Sequence, residues 1–319
     1  MRLVIALGGN ALLRRGEPMS HAAQRANIRR AANALAPLVL EHEVVLTHGN
    51  GPQIGLLALA QLRDDGSPAG VFPLDVLGAQ TEGMIGYLLE QALDAALPDA
   101  RPVVSILTRI LVDGDDPAFD RPSKFIGPGH ARRDEVDALA ARHGWTFGRD
   151  GDAWRRVVPS PMPIELVEQR VIELLLGHGV TVICAGGGGI PVLRDAAGNE
   201  VGVEAVVDKD HASRLIARAI QADGLLLLTD VACVEIGFGT PGARAVRRAS
   251  PERLAAYDFP AGSMGPKVAA ACDFVTATGG FAAIGALEDA AALVAGTRGT
   301  RIERETGTLV CEPIAATGR

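Results

Sequence analysis

The sequence predicts an α/β protein with a mainly parallel central sheet, helices on both faces and a small protruding subdomain, and three observations carry that prediction. Short apolar runs alternate with longer helical patterns along most of the 319 residues, as happens when parallel strands are joined by crossover helices. Three of the apolar runs end in glycine-rich loops: Gly8-Gly9-Asn10, Gly49-Asn50-Gly51 and Gly186-Gly187-Gly188-Gly189. Between residues 113 and 163 the rhythm breaks into a polar, Pro- and Gly-rich stretch containing DGDDPAFDRPSKFIGPGH and GRDGDAWRRVVPSPMP. A structureless connection of that length is uncommon inside a compact domain, so a small inserted subdomain is expected there.

Residues 3–7 read as the first strand and lead through their glycine loop to a helix over residues 20–41. Residues 44–47 are a second strand, and His48-Gly49-Asn50-Gly51 leads to a helix opening at Pro52. Proline suits that first position because its missing N–H would have no helical partner there. Residues 75–97 read as helix and 103–112 as strand. The inserted stretch has Phe125, Trp145, Phe147 and Trp154 to pack. Beyond it, residues 164–176 read as helix and 180–184 as a strand running into the third glycine loop. The remainder reads as helix over 208–222, strand over 225–229, helix over 265–276 and strand over 282–286.

Hydrophobic residues make up 48% of the chain and charged residues 22%, enough for a large core, and the length favours two lobes. A net charge of −7 and only 4% aromatic residues argue against general affinity for nucleic acid or acidic membranes. No run of about twenty apolar residues occurs. The apolar start is broken by Gly8-Gly9-Asn10 and reads as a strand rather than a leader. Cys184, Cys233, Cys272 and Cys311 lie far apart with no C-x-x-C pair, so they are expected to be buried thiols in a reducing, cytoplasmic setting.

In an open parallel sheet, ligands collect beyond the carboxyl ends of the strands. Three glycine loops at that edge point to one anion site in which a ligand comes close to bare backbone N–H groups. None of the loops reads G-x-G-x-x-G, and Gly265-Pro266-Lys267 is followed by Val268, so it is not a P-loop. The protein-kinase motif set is also absent. Positive charge comes from Lys209, between Asp208 and Asp210, and from Lys267 at a helix start. A lysine at a helix N-terminus opposes the dipole, an arrangement that a bound phosphate would offset. The competing reading of the Asp-Lys-Asp run is a surface ion-pair cluster. His48 reads as a structural hydrogen-bonder rather than an acid or base. Arg132-Arg133 and Arg155-Arg156 read as solvated faces of the insertion, with bracing of the subdomain the alternative for Arg155-Arg156 of WRRVVPSP, and Met162 and Met264 read as packing residues.

Taken together, ALGGNAL, HGNGPQIG, LGAQTEGMIGYLLEQAL, RPSKFIGP, WRRVVPSP, CAGGGGIPV, GVEAVVDKDHAS, LLLLTDV and PAGSMGPK resemble the carbamate kinases of the amino-acid kinase superfamily, in order from residue 1 to about residue 300. The resemblance implies an open αβα sandwich, usually a homodimer. Residues 1–205, with the protruding subdomain at about 113–163, would hold carbamate or carbamoyl phosphate, and residues 206–319 the adenine nucleotide. It implies reversible phosphoryl transfer between carbamoyl phosphate and ADP, giving ATP and carbamate, with Mg²⁺ held mainly by the nucleotide phosphates. Carbamate is already an anionic oxygen nucleophile, so in-line positioning and charge neutralisation suffice without a general base.

On this resemblance Lys209 and Lys267 flank the transferred phosphate and Asp210 orients them. Backbone amides of Gly8, Gly9, Asn10, Gly49, Asn50 and Gly51 hold the substrate. Thr229, Asp230, Val231, Phe238, Met264, Gly265 and Pro266 line the nucleotide pocket. Many amino-acid kinases carry a lysine two residues before the paired glycines, where this chain has Ala6. Lys124 of RPSKFIGP, brought over the substrate by closure of the subdomain, is the expected replacement. The chain departs from the family pattern at Ala232-Cys233 and at Ala283-Ile284-Gly285-Ala286, and it continues past Gly307 as TLVCEPIAATGR. Two rival readings are a kinase for another small acid, as acetylglutamate and glutamate kinases are, and a non-catalytic sensor of nucleotide or carbamoyl phosphate. The sensor would be expected to lose the lysines that this chain keeps.

Overall fold

A computed structural model describes residues 1–13, 17, 20–62, 72–98, 101–260, 262–304 and 309–313, without the side chains of Asn10 and Ala11. The chain begins with β1 (Arg2–Leu7), the short α1 (Gly9–Leu12), α2 (His21–Glu41), β2 (Glu43–His48), α3 (Gly51–Ala60), α4 (Leu74–Ala96), β3 (Val103–Ser105) and β4 (Arg109–Val112). It continues with β5 (Lys124–His130), α5 (Arg133–His143), β6 (Thr146–Asp150), β7 (Ala153–Val158), β8 (Pro163–Leu166), α6 (Gln169–Gly177), β9 (Thr181–Ile183), β10 (Ile190–Arg194) and β11 (Glu200–Gly202). Then come α7 (Lys209–Ala219), β12 (Gly224–Thr229), β13 (Glu235–Ile236), β14 (Arg244–Ala249), α8 (Pro251–Leu254), α9 (Met264–Thr278), β15 (Phe281–Ala286), α10 (Ala290–Val294), β16 (Thr300–Ile302) and β17 (Val310–Pro313).

Strands β3, β9, β2, β1, β12 and β15 lie side by side, and every neighbouring pair among them is parallel. Continuous apolar sequence is what a parallel strand covered on both faces requires, and RLVIAL of β1 shows why. Leu3, Ile5 and Leu7 pack with Ile28 and Leu35 of α2 and Ile85 and Leu89 of α4. The alternate residues Val4 and Ala6 pack with Ile216 of α7 and Phe274 of α9 on the opposite face. Beyond β15 the sheet turns antiparallel through β16, and β14 pairs antiparallel with both β13 and β17. The stretch from β5 to β7 forms its own three-stranded antiparallel sheet, order β5-β7-β6. Among the described residues no helix is long and apolar enough to cross a membrane.

Two elements differ from expectation. Residues 103–112 are not one strand: β3 joins the main sheet, whereas β4 belongs to a second sheet of order β11-β10-β4-β8. Residues 164–176 are not one helix: β8 pairs antiparallel with β4, and α6 starts only at Gln169. A short apolar run has no length signal to separate strand from helix, so pairing with β4 decides. Cys184 and Cys233 are buried as expected, but Cys272 and Cys311 are only half-buried, and all four are free.

Candidate active site

The loops after β1, β2 and β12 and the start of α9 converge on a cavity of about 600 Å³. Its wall includes Gly8, Gly9, Gly49, Asn50 and Gly51 on one side and Thr229, Asp230, Val231, Phe238, Met264 and Pro266 on the other. Lys124, Asp208, Lys209, Asp210 and Lys267 lie between them. The sheet puts the loops after β1, β2 and β12 there, because they leave the carboxyl ends of adjacent parallel strands, while Lys124 comes from β5, residues 208–210 from the start of α7 and Lys267 from α9.

Three lysines meet two aspartates. Asp210 Oδ1 accepts from Lys209 Nζ at 2.5 Å, and its Oδ2 accepts from Lys267 Nζ at 2.8 Å. Lys124, from β5, pairs with Asp208, whose other oxygen caps α7 by accepting from the Asp210 N–H at 2.9 Å. This cluster is no solvated surface run, since Lys209 and Asp210 are 8% and 3% exposed. Burial pulls the Lys209 ammonium down to about 8, against the opposing charge of Asp210 and with help from Lys267. For Lys267, burial also pulls down, but Asp210 outweighs it and the group ends above its ordinary value. Burial would raise Asp210; Lys209 and Lys267 reverse the sign and keep it a carboxylate.

The glycine loops need one correction. Gly8 and Gly49 line the cavity, but their N–H groups are used inside the sheet: Gly8 donates to Leu228 O at 3.0 Å and Gly49 to Leu7 O at 3.1 Å. Strand pairing continues one residue past each strand and takes both amides out of the expected set. Gly51, by contrast, opens α3, and Asn50 makes no side-chain cap there, so the first N–H groups of α3 have no intrahelical partner. The side chain of Asn10 lies outside the described residues. Gly265 is also off the cavity wall: its N–H donates to Pro260 O at 2.9 Å, so it closes the turn into α9.

His48 is fully buried, burial brings its imidazole down to about 4, so it is neutral near pH 7, and its Nδ1 lies 3.2 Å from Gly49 O. Arg155 and Arg156 are not solvated faces. Arg155 Nε donates to Gly127 O at 3.1 Å, and the Arg156 guanidinium lies 4.0 Å from the centre of the Trp145 ring. Met162 is 43% exposed rather than packed, while Met264 packs against the core and reaches the cavity. Ala6 is fully buried on the α7 side of β1 and brings no charge.

Sequence reasoning missed Asp208 as the partner of Lys124, and it missed Thr81 and Glu82. On α4 the buried positions include Leu74, Leu77, Thr81, Glu82, Ile85 and Leu89, so a hydroxyl and a carboxyl interrupt an apolar helical stripe. That spacing was the available signal. Cys233, Glu235 and Phe259, which also line the cavity, carried no such mark.

Comparison with known proteins places the chain in a family. Residues 1–280 match the amino acid kinase family. A carbamate kinase of Rhizobium meliloti (strain 1021) is 55% identical over 307 residues, covering 95% of this chain and 93% of its own length. The structure of carbamate kinase from Giardia lamblia bound to citric acid superposes with a TM-score of 0.88 at 40% identity, covering 95% of this chain and 98% of that one. The same enzyme bound to AMP-PNP gives 0.85 at 39% identity, again over 95% and 98% of the two chains. This chain belongs to the amino acid kinase family, and within it to the carbamate kinases.

Proposed function

We propose that the protein transfers a phosphoryl group reversibly between carbamoyl phosphate and ADP, giving ATP and carbamate. The observation that carries this reading is the meeting of Lys124, Lys209 and Lys267 in one cavity beside the uncapped start of α3. In the direction of ATP formation, an oxygen of the ADP terminal phosphate attacks the phosphorus in line. The new P–O bond forms as the bond to the carbamoyl oxygen breaks, and carbamate leaves with the electron pair. Neither oxygen needs a proton moved, so charge and alignment are the whole task. Lys209 and Lys267 face the transferring group, with Asp210 fixing their spread. Lys124 covers it from the β5 side, and the amides of Gly9, Asn50 and Gly51 receive the oxygens.

Residues 1–205, including the 113–163 subdomain, serve the carbamoyl phosphate end and residues 206–319 the nucleotide. Exposed Val231 and Phe238 at the cavity mouth support the nucleotide side, as does the AMP-PNP bound by the Giardia relative. Kinases of this family use a divalent cation with ATP, and Mg²⁺ is the ion proposed. The donor set fits an ion carried on phosphate oxygens: the cavity offers the carboxylates of Asp208, Asp210 and Asp230, and among the described residues no group of three or more His, Cys, Asp or Glu is arranged to hold a metal. When bound, the ion neutralises charge on the nucleotide phosphates.

A cytoplasmic homodimer is proposed as well. Four free thiols suit a reducing compartment. The outer face of α4 exposes Val76, Met84 and Tyr87, next to exposed Leu107, an apolar surface suited to a second copy.

The deciding experiment couples ATP formation to ADP with carbamoyl phosphate, acetyl phosphate or a glutamyl phosphate as donor. ATP from carbamoyl phosphate in clear preference is expected. Preference for another acyl phosphate would favour the small-acid kinase reading, and nucleotide binding without transfer would favour the sensor.

A further inference from the structure

One buried turn of α4 connects to two cavity loops that the chemistry above leaves unexplained. Thr81 Oγ accepts from Asn50 Nδ2 at 2.8 Å and donates to Gly78 O at 2.9 Å. Its neighbour Glu82 uses both carboxyl oxygens. Oε1 accepts from the Gly186 N–H at 2.9 Å and Oε2 from the Thr108 N–H at 3.3 Å. Thr108 then grips both ends of the glycine turn, with Oγ1 accepting from Ala185 N at 3.0 Å and its carbonyl from Ile190 N at 2.8 Å.

That turn needs holding. Ala185 has φ of 47° and Gly187 of 71°, so a non-glycine residue sits in the left-handed region at its start, a conformation that persists only when its surroundings fix it. Gly187 has no room for a side chain, because a methyl group on its Cα would lie 2.0 Å from Asn50 Nδ2. The Asn50 side chain is therefore held between the Gly187 backbone and Thr81. Asparagine is among the preferred N-caps, which accept from the first helical N–H groups. Here the amide is turned to Thr81 instead, and α3 has no side-chain cap.

We propose that Thr81 and Glu82 are positioning residues for the phosphate end of the site. Thr81 draws Asn50 away from the α3 amides, and Glu82 locks the 185–189 turn that closes on Asn50 from the other side, so the helix start stays open to an anion. Burial raises the Glu82 carboxyl to about 8 against the pull of the Gly186 and Thr108 N–H groups. His48, whose Nε2 finds no hydrogen-bond partner among the described residues, lies across Gly186 from it.

The proposal rests on the phosphoryl-transfer reading, and two probes keep them apart: steady-state kinetics with carbamoyl phosphate, and calorimetry with inorganic phosphate, which needs no turnover. Thr81→Val should raise the KM for carbamoyl phosphate and weaken phosphate binding by about tenfold, the equivalent of ~1.4 kcal/mol, with the KM for ADP near wild type. Thr81→Ser, which keeps the hydroxyl, should restore both. Glu82→Gln should behave like Thr81→Val, because its amide nitrogen meets an N–H donor where a carboxyl oxygen accepted. Unchanged phosphate affinity in folded Thr81→Val and Glu82→Gln would overturn the proposal, as would a matching rise in both KM values. A wild-type protein that binds phosphate yet transfers nothing would instead overturn the functional reading, leaving the phosphate titrations to judge the positioning residues.

Discussion

Lys124 on β5 and Asp208, the N-cap of α7, are joined by an ion pair across 84 positions of sequence. The pair ties the three-stranded sheet to the helix that carries Lys209. Burial would raise the Asp208 carboxyl, but Lys124 and then Lys209 outweigh it and hold it far below the usual carboxylate range. Lys124→Ala is expected to cut turnover with carbamoyl phosphate by about tenfold to a thousandfold. ADP affinity, measured by calorimetry, should stay close to wild type. Equal losses in both, or none, would show that Lys124 does not serve the phosphoryl end.

Lys209 sets an expected alkaline limit. Its ammonium is brought down to about 8 by burial, and the proposed role needs it charged in the unliganded enzyme, so kcat/KM for carbamoyl phosphate should fall as pH rises through about 8. Bound phosphate favours the charged lysine, which moves the corresponding limb of kcat to higher pH. Parallel pH profiles for kcat/KM and kcat, with no limb near 8, would remove Lys209 from the anion's contacts.

The glycines should separate by readout. A methyl group on Gly8 would lie 2.8 Å from Leu228 O, whereas one on Gly9 meets nothing within 4 Å and one on Gly51 only Phe125 O at 3.8 Å. Gly8→Ala is therefore expected to lower the melting temperature. Gly9→Val and Gly51→Val should melt normally and lose carbamoyl phosphate use, because the side chain stands where the anion approaches. Near-normal activity of a folded Gly9→Val protein would return that loop to an ordinary strand-to-helix turn.

Asp210 and Lys267 should also differ. Lys267→Ala leaves Asp210 paired with Lys209, so turnover should drop by about tenfold to a thousandfold with little change in melting. Asp210→Asn takes the shared carboxylate from the buried Lys209 and the half-buried Lys267, a loss of about 3–5 kcal/mol, and should show in a denaturant titration. The reverse ranking of stabilities would contradict the shared-carboxylate geometry.

For the proposed dimer, Tyr87→Glu places a charge on the exposed α4 face and should shift sedimentation equilibrium from dimer to monomer. An unchanged mass would move the interface elsewhere or establish the monomer.

Much of this was legible in sequence. A mainly parallel sheet followed from short apolar runs alternating with helical patterns, Lys209 and Lys267 from the Gly and Lys clusters at strand ends, and Lys124 only from the resemblance to the carbamate kinases. What stayed hidden was set by pairing and distance. The strand identity of residues 163–166 depends on β4, more than fifty residues earlier in sequence. The loss of the Gly8 and Gly49 amides depends on which strand lies alongside, which no local pattern encodes. Glu82 was the opposite case: its place on the buried stripe of α4 was visible by spacing, but its partners, Thr108 and Gly186, lie 26 and 104 residues away.

With each lysine already matched to an aspartate, the cavity acts as a small ion exchanger rather than an open cation trap. An entering anion must compete with Asp208 and Asp210 for the same ammonium groups, so chloride or a lone carboxylate gains little by entering. A phosphoryl group brings several charged oxygens at once and can take over more than one lysine. A preference for multiply charged ligands is thus the expected consequence of one set of internal pairs.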